Sequence, residues 1–217
     1  MHKNRLFSLL LIIVIAISSS SCINLVNHIV INKDKSGTAF IGIEINALSG
    51  LINTNTDELD KDSKDKIMNF TTPAMEKIKG IDGISNIKSS GLLKLGKYGL
   101  KFSFKNAKAL NTAYYRLLDM DYKWYSPAII KIRNHSVKVK DVSSQIKEYI
   151  AEDDSEFLSP TIIEYLNIAT IIEVPNNITS VKMDMGETSY NGKTINVIIP
   201  LKSVLKEDAS VGFKFNY

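Results

Sequence analysis

Cysteine is almost absent: Cys22 is the only one in the chain. No disulfide can form within the protein, so a fold adopted outside the cytoplasm rests on packing alone. Histidine is nearly as scarce. His28 and His135 have no second His or Cys at ligand spacing, which argues against a metal centre. Neither Gly-x-Ser-x-Gly nor a glycine-rich loop followed by Lys-Ser/Thr occurs, so the sequence offers no nucleophile elbow and no phosphate cradle. Net charge is small, at +4. That is too little to argue for nucleic acid as a partner. Beyond residue 22 no apolar run reaches the ~18 residues that a membrane-crossing helix needs. No repeat of fixed period is visible.

What the sequence does have begins at its first residue. Lys3 and Arg5 precede an apolar run from Leu6 to Ile17, broken only by Ser8; Ser18–Ser21 and then Cys22 follow. A charged start, a short apolar core and small residues before a cut site describe a secretory signal peptide. Cys22 directly after the small residues resembles the lipobox of bacterial lipoproteins, where the cysteine after the cut is diacylated with palmitate-type chains. That pattern prefers Leu three residues before the cysteine, where this chain has Ser19. Two alternatives are ordinary secretion with a free thiol and an uncleaved anchor. Each buried CH₂ of an acyl chain contributes ~0.8 kcal/mol, and two chains hold stably where one holds marginally. The expected organisation is a signal peptide over 1–21 and one membrane-tethered domain over 22–217. Losing Lys3 and Arg5 takes the net charge from +4 to +2.

Within the tethered part, Ile23–Asn32 and Ala39–Asn46 flank the polar turn Lys33-Asp34-Lys35-Ser36-Gly37 and predict a β-hairpin. Helical spacing begins at Ile67 and meets Pro73, which predicts a break or kink near Thr72. Ile84–Ser89 is a candidate strand. Leu100, Phe102 and Phe104 alternate with Lys101, Ser103 and Lys105, a strand with one apolar face. Asn106 is positioned to cap a helix whose face is Leu110, Ala113, Tyr114, Leu117 and Leu118. Short strands are expected on both sides of Asn134-His135, helical turns at Ile146–Ile150, a helix start at Ser159-Pro160 and a strand over Ile168–Val174. Asn191-Gly192 signals a further hairpin, and alternation from Val211 to Tyr217 a last strand. The sum is an α+β fold, an antiparallel sheet of hairpins with a few helices packed on one face.

Three blocks carry a family resemblance: Ile29–Thr38; Leu100–Asn106 with Ala109-Leu110-Asn111; and Ile171–Pro175 with Asn191–Thr194 and Pro200-Leu201. Together they resemble poorly characterised lipoproteins of Bacteroidota, similar in layout to the LppM-like lipoprotein domain. That family's hairpin reads Lys-Asp-Gly-Ser-Gly, and Lys35 stands here at its first Gly. The resemblance implies an α+β fold, and lipid or glycolipid contact for the mycobacterial member. These are turn and strand motifs and specify no chemistry.

Two features invite a functional reading. Lys88, Lys94, Lys97, Lys101 and Lys105 belong to a basic stretch; on one face they would meet an anionic surface at ~1 kcal/mol each, or simply form a solvated sheet face, the plainer reading. Trp124 lies among Tyr114, Tyr115, Tyr122 and Tyr125, a cluster that would line a groove, mark a membrane-facing edge, or, as most such clusters do, sit in the core. The acidic runs Asp57–Asp65 and Glu152–Glu156 lack calcium-loop spacing and read as solvated. No catalytic residue, cofactor or metal site is assigned. The expected function is a non-enzymatic, lipid-anchored binding module for an amphiphile or protein partner, in the outer membrane facing the periplasm, without nucleic acid. An assembly lipoprotein docking through an exposed Val211–Tyr217 edge is the second reading. An exported hydrolase built around His28 or His135 is the third.

Overall fold

The computed structural model describes residues 23–45, 71–92, 96–152 and 160–217. Cys22, Lys94, the run Asp57–Asp65, residues 153–156 of the second acidic run and Ser159 lie outside them.

The fold is α+β and holds two sheets. In the larger, β1 (Ile23–Ile31), β2 (Gly37–Ile45), β3 (Ile84–Leu92), β4 (Lys97–Phe104), β7 (Leu166–Glu173), β9 (Glu187–Asn191) and β10 (Thr194–Pro200) lie in the order β3-β4-β2-β1-β7-β10-β9. In the smaller, β5 (Ile130–Ile132), β6 (Ser136–Val139), β8 (Ser180–Met183) and β11 (Phe213–Asn216) lie in the order β5-β6-β11-β8. The helical segments are α1 (71–78), α2 (Ala107–Leu117), α3 (Ser143–Glu152), α4 (Pro160–Ile163) and α5 (Leu201–Val204).

The expected hairpins are present. β1 and β2 pair from Ile23↔Ile45 to Ile31↔Gly37. The sheet is not purely antiparallel, however: β1 also pairs β7 in parallel, from Ile23↔Leu166 to Val30↔Glu173. A parallel neighbour needs a long crossover, and no local turn signal announces it. The period of two then sorts side chains by face. Ile29 and Ile31 of β1, Leu100, Phe102 and Phe104 of β4, Ile172 of β7 and Ile195 of β10 point to one side. There they share a single core with Ile130, Val137, Phe213 and Phe215 of the small sheet and with Ile78 of α1 and Leu110 of α2. On the opposite face Val26, Phe40 and Ala169 form a small separate cluster.

The helical spacing that begins at Ile67 lies outside the described residues as far as 70; from 71 to 78, α1 is helical over Thr72 and Pro73. The buried Thr71 hydroxyl lies 2.6 Å from Ser89 Oγ, and Ile78 is fully buried. Two expectations need correction. The last strand is no edge, because β11 is paired on one side by β6 and on the other by β8. Finally, the β9–β10 turn centres on Gly192-Lys193, one residue later than Asn191-Gly192 suggests, since Asn191 already pairs Thr194. Gly192 has φ of 57°, the left-handed conformation that glycine adopts without steric cost.

Candidate binding cleft

Among the described residues the core face of the large sheet is not covered everywhere. Leu25, the third residue of β1, and Ile168 of β7 stand side by side in the parallel register and form an apolar floor. Ile146, Tyr149 and Ile150 of α3 make one wall, at the i, i+3, i+4 spacing that puts side chains on one helix face. Tyr115, Leu118 and Met120 make the other, and Ile129, Val142 and Leu201 close the ends. The space is about 280 Å³, just below the ~300–1,000 Å³ usual for small-molecule sites. Lys140 is the one charged residue lining it among the described residues.

Both walls are fixed by polar contacts. The Asp141 carboxylate caps the start of α3, accepting from the Ser143 N–H and hydroxyl, and it also accepts from the Val211 N–H at 3.1 Å. Burial pulls the Asp141 carboxyl up, but these donors outweigh it and hold it below the usual aspartate value. Farther along α3, Lys147 Nζ donates to the backbone carbonyls of Lys206 and Glu207.

The opposite wall depends on how α2 begins and ends. Asn106 caps its start as expected, its Oδ1 accepting from the Ala109 N–H at 3.0 Å. At its end Asp119 takes φ of 57°, the Asp119 N–H donates to Arg116 O and the Met120 N–H to Tyr115 O. This is a Schellman stop with Asp where glycine is usual. Lys77 Nζ, 2.7 Å from the Asp119 carboxylate, ties that stop to α1. The turn places Leu118 and Met120 on either side of it, both at the cleft. The Tyr115 hydroxyl donates to Pro127 O at 2.8 Å and folds the following loop back. Burial, with the nearby Tyr122, raises the Tyr115 pKa above the ordinary tyrosine value.

A buried polar contact sets the height of the loop. Asn111 lies inside α2, 1% exposed. Its Nδ2 donates to Ile130 O at 2.8 Å and its Oδ1 accepts from the Ile130 N–H at 3.0 Å. Ile130 belongs to β5, the edge of the small sheet, and the Asn111 amide occupies the position of one more strand.

The five lysines singled out from sequence fall differently. Lys88, Lys97 and Lys101 share the sheet face opposite the cleft, with Lys88 and Lys101 direct cross-strand partners. Lys105 lies just past β4, and Lys94 is outside the described residues. Lys97 Nζ stands 5.1 Å from the centroid of the Phe40 ring, a cation–π contact. Phe40 in turn covers Gly42, where a Cβ would lie 2.8 Å from its ring.

The aromatic cluster also divides. Tyr114 and Tyr115 are buried, as core residues should be, and the Tyr114 hydroxyl donates to Asn27 Oδ1 at 2.7 Å. Trp124 is 94% exposed and Tyr125 63%, so the core reading fails for both. His28 Nε2 lies 2.7 Å from Glu173 Oε1. An acid partner is thus in place, but among the described residues no Ser, Thr or Cys bonds to His28 as a nucleophile would. Lys140 and the α3 wall were not singled out from sequence; the signal was Ile146, Tyr149 and Ile150 on one face of a helix with little else apolar.

No protein-family model matches the chain, and no curated protein does. Among solved structures it is similar to the NMR structure of the folded domain of LppM from Mycobacterium tuberculosis, at 11% identity over 91% of this chain and 90% of that one, with a TM-score of 0.37. A superposition at that level carries neither architecture nor activity from one protein to the other. No described helix is long and apolar enough to cross a membrane.

Proposed function

We propose that this chain is a non-enzymatic envelope lipoprotein, held by acyl chains on Cys22, whose cleft binds the hydrocarbon part of an anionic amphiphile. The observation that carries the reading is the cleft: an apolar slot between sheet and helix with a cation, Lys140, on its lining. The neighbouring carboxylate of Asp141 accepts from Ser143 and Val211, and among the described residues no ion pair joins it to Lys140. A single acyl chain would lie on Leu25 and Ile168 and leave its carboxylate or phosphate at the ammonium. The residues after Cys22 are Ile23 and Asn24, without the Asp that retains many lipoproteins in the inner membrane, and this supports a place in the outer membrane facing the periplasm.

Native mass spectrometry of the protein released from membranes, together with displacement of a fluorescent fatty acid, tests the reading. A lipid-mass adduct is expected, with dye uptake lost in Ile146→Glu and weakened several-fold in Lys140→Ala. A bare mass with no dye uptake would overturn it.

An assembly role is the second reading. Its proposed edge at β11 is occupied on both sides. Among the described residues β9 is one of the two strands that end the large sheet, β3 being the other; every residue of β9 is exposed, and a partner strand would pair there.

A further inference from the structure

The loop after α2 presents an unusual tip. The Ser126 N–H donates to Lys123 O at 2.9 Å, and the Lys123 N–H donates to Ser126 Oγ at 2.9 Å. These two bonds close a tight turn whose central residues are Trp124 and Tyr125. The rings meet edge to face, 5.5 Å between centroids. A closed turn with two aromatic rings at its apex holds them in water, and burying a large ring is worth several times what an exposed position returns.

The charges around the tip are also sorted. Asp119 is paired with Lys77, and Asp121 lies 3.2 Å from Arg116 Nη1. Among the described residues Lys123 makes no ion pair, and its ammonium sits 5.9 Å from the Tyr125 ring. The balance at the tip is therefore cationic, beside two rings of the kinds that concentrate at the membrane–water boundary. Leu118, 55% exposed, continues the apolar surface from the tip to the cleft.

We infer that the 118–126 loop is a membrane-docking tip, which seats Trp124 and Tyr125 among the headgroups of an anionic phospholipid bilayer with Lys123 at the phosphates. This stands on the loop alone and holds whether or not the cleft takes a chain.

Trp124 is the only tryptophan of the chain, so its emission reports the tip without a label. The full chain is mixed with phosphatidylglycerol–phosphatidylcholine vesicles, once with ordinary and once with brominated acyl chains. The expected result is a blue shift, protection from aqueous acrylamide and quenching by the brominated lipid. Tyr125→Ser and Leu118→Ser keep the probe, and each is expected to reduce the bromine quenching several-fold. Emission that stays red and acrylamide-quenched while the protein cosediments with vesicles would overturn the inference. So would failure to cosediment with no spectral change. Protection that is present without vesicles and lost on dilution would assign the tip to a second copy of the chain and overturn it equally.

Discussion

Replacing Asn111 with alanine is the sharpest test of how the two sheets are joined. The side chain makes two bonds to Ile130, one to its N–H and one to its C=O, at a residue that is fully buried. Alanine removes both partners at once and leaves two backbone groups unsatisfied in the core. Each orphaned group costs ~1–3 kcal/mol. Alanine returns up to ~0.7 kcal/mol through its better helix propensity. The net loss is then about 1–5 kcal/mol, a sizeable part of the ~5–15 kcal/mol that holds an ordinary domain. Thr112→Ala is the control: one residue along the same helix, its hydroxyl bonded to Lys108 O at an exposed site, with an expected change within ~0.5 kcal/mol. Urea unfolding followed by far-ultraviolet circular dichroism is the suitable assay, since Trp124 already lies in water in the folded state. If both variants unfold at the same urea concentration with the same slope, the Asn111 amide is not what secures β5, and the argument from unsatisfied groups fails here.

Two further outcomes follow from local geometry. Lys35 sits at φ of 67° in the β1–β2 turn. A left-handed residue with a Cβ costs ~1–2 kcal/mol, partly offset by the greater unfolded freedom of glycine, ~0.5–1 kcal/mol. Lys35→Gly is therefore expected to stabilise the protein by about 0.5–1 kcal/mol, read as a higher urea midpoint; an unchanged or lower midpoint would refute the strain. Asp141 has a folded pKa below its ordinary 3.8, so its contribution to stability is full above the unfolded value and is lost as pH falls through the folded one. Asp141→Asn should accordingly be less stable than the parent at neutral pH, with the gap closing below about pH 4; a gap that does not change with pH would show that the charge is irrelevant.

Much of the architecture was legible because its determinants are local. The Lys33–Gly37 turn, the alternation Leu100-Phe102-Phe104 and the Asn106 cap each involve residues a few positions apart, and each is found where expected. The α+β class follows from them. The pairing of β1 with β7 was not legible, because nothing in Ile23–Ile31 names a partner more than a hundred residues away. The burial of β11 between β6 and β8 was hidden for the same reason. The stop of α2 escaped notice because Asp119, not glycine, takes the left-handed position. The aromatic cluster misled because composition does not distinguish Tyr114 and Tyr115, carried on the buried face of a helix, from Trp124 and Tyr125, lifted away by a turn. The cleft itself is a space that three separated segments leave between them, and no one segment encodes it.

The position of Leu25 has a consequence for affinity. On the proposed acylation of Cys22, the cleft floor would start three residues from the lipid, no more than ~11 Å of extended chain. A site on so short a leash would meet membrane amphiphiles at the local concentration of the bilayer surface, not that of the surrounding fluid. Dissociation constants that look feeble in a cuvette would still leave it occupied, and a released ligand would return before diffusing away. Selection on such a protein would act less on tight binding than on which chains it admits.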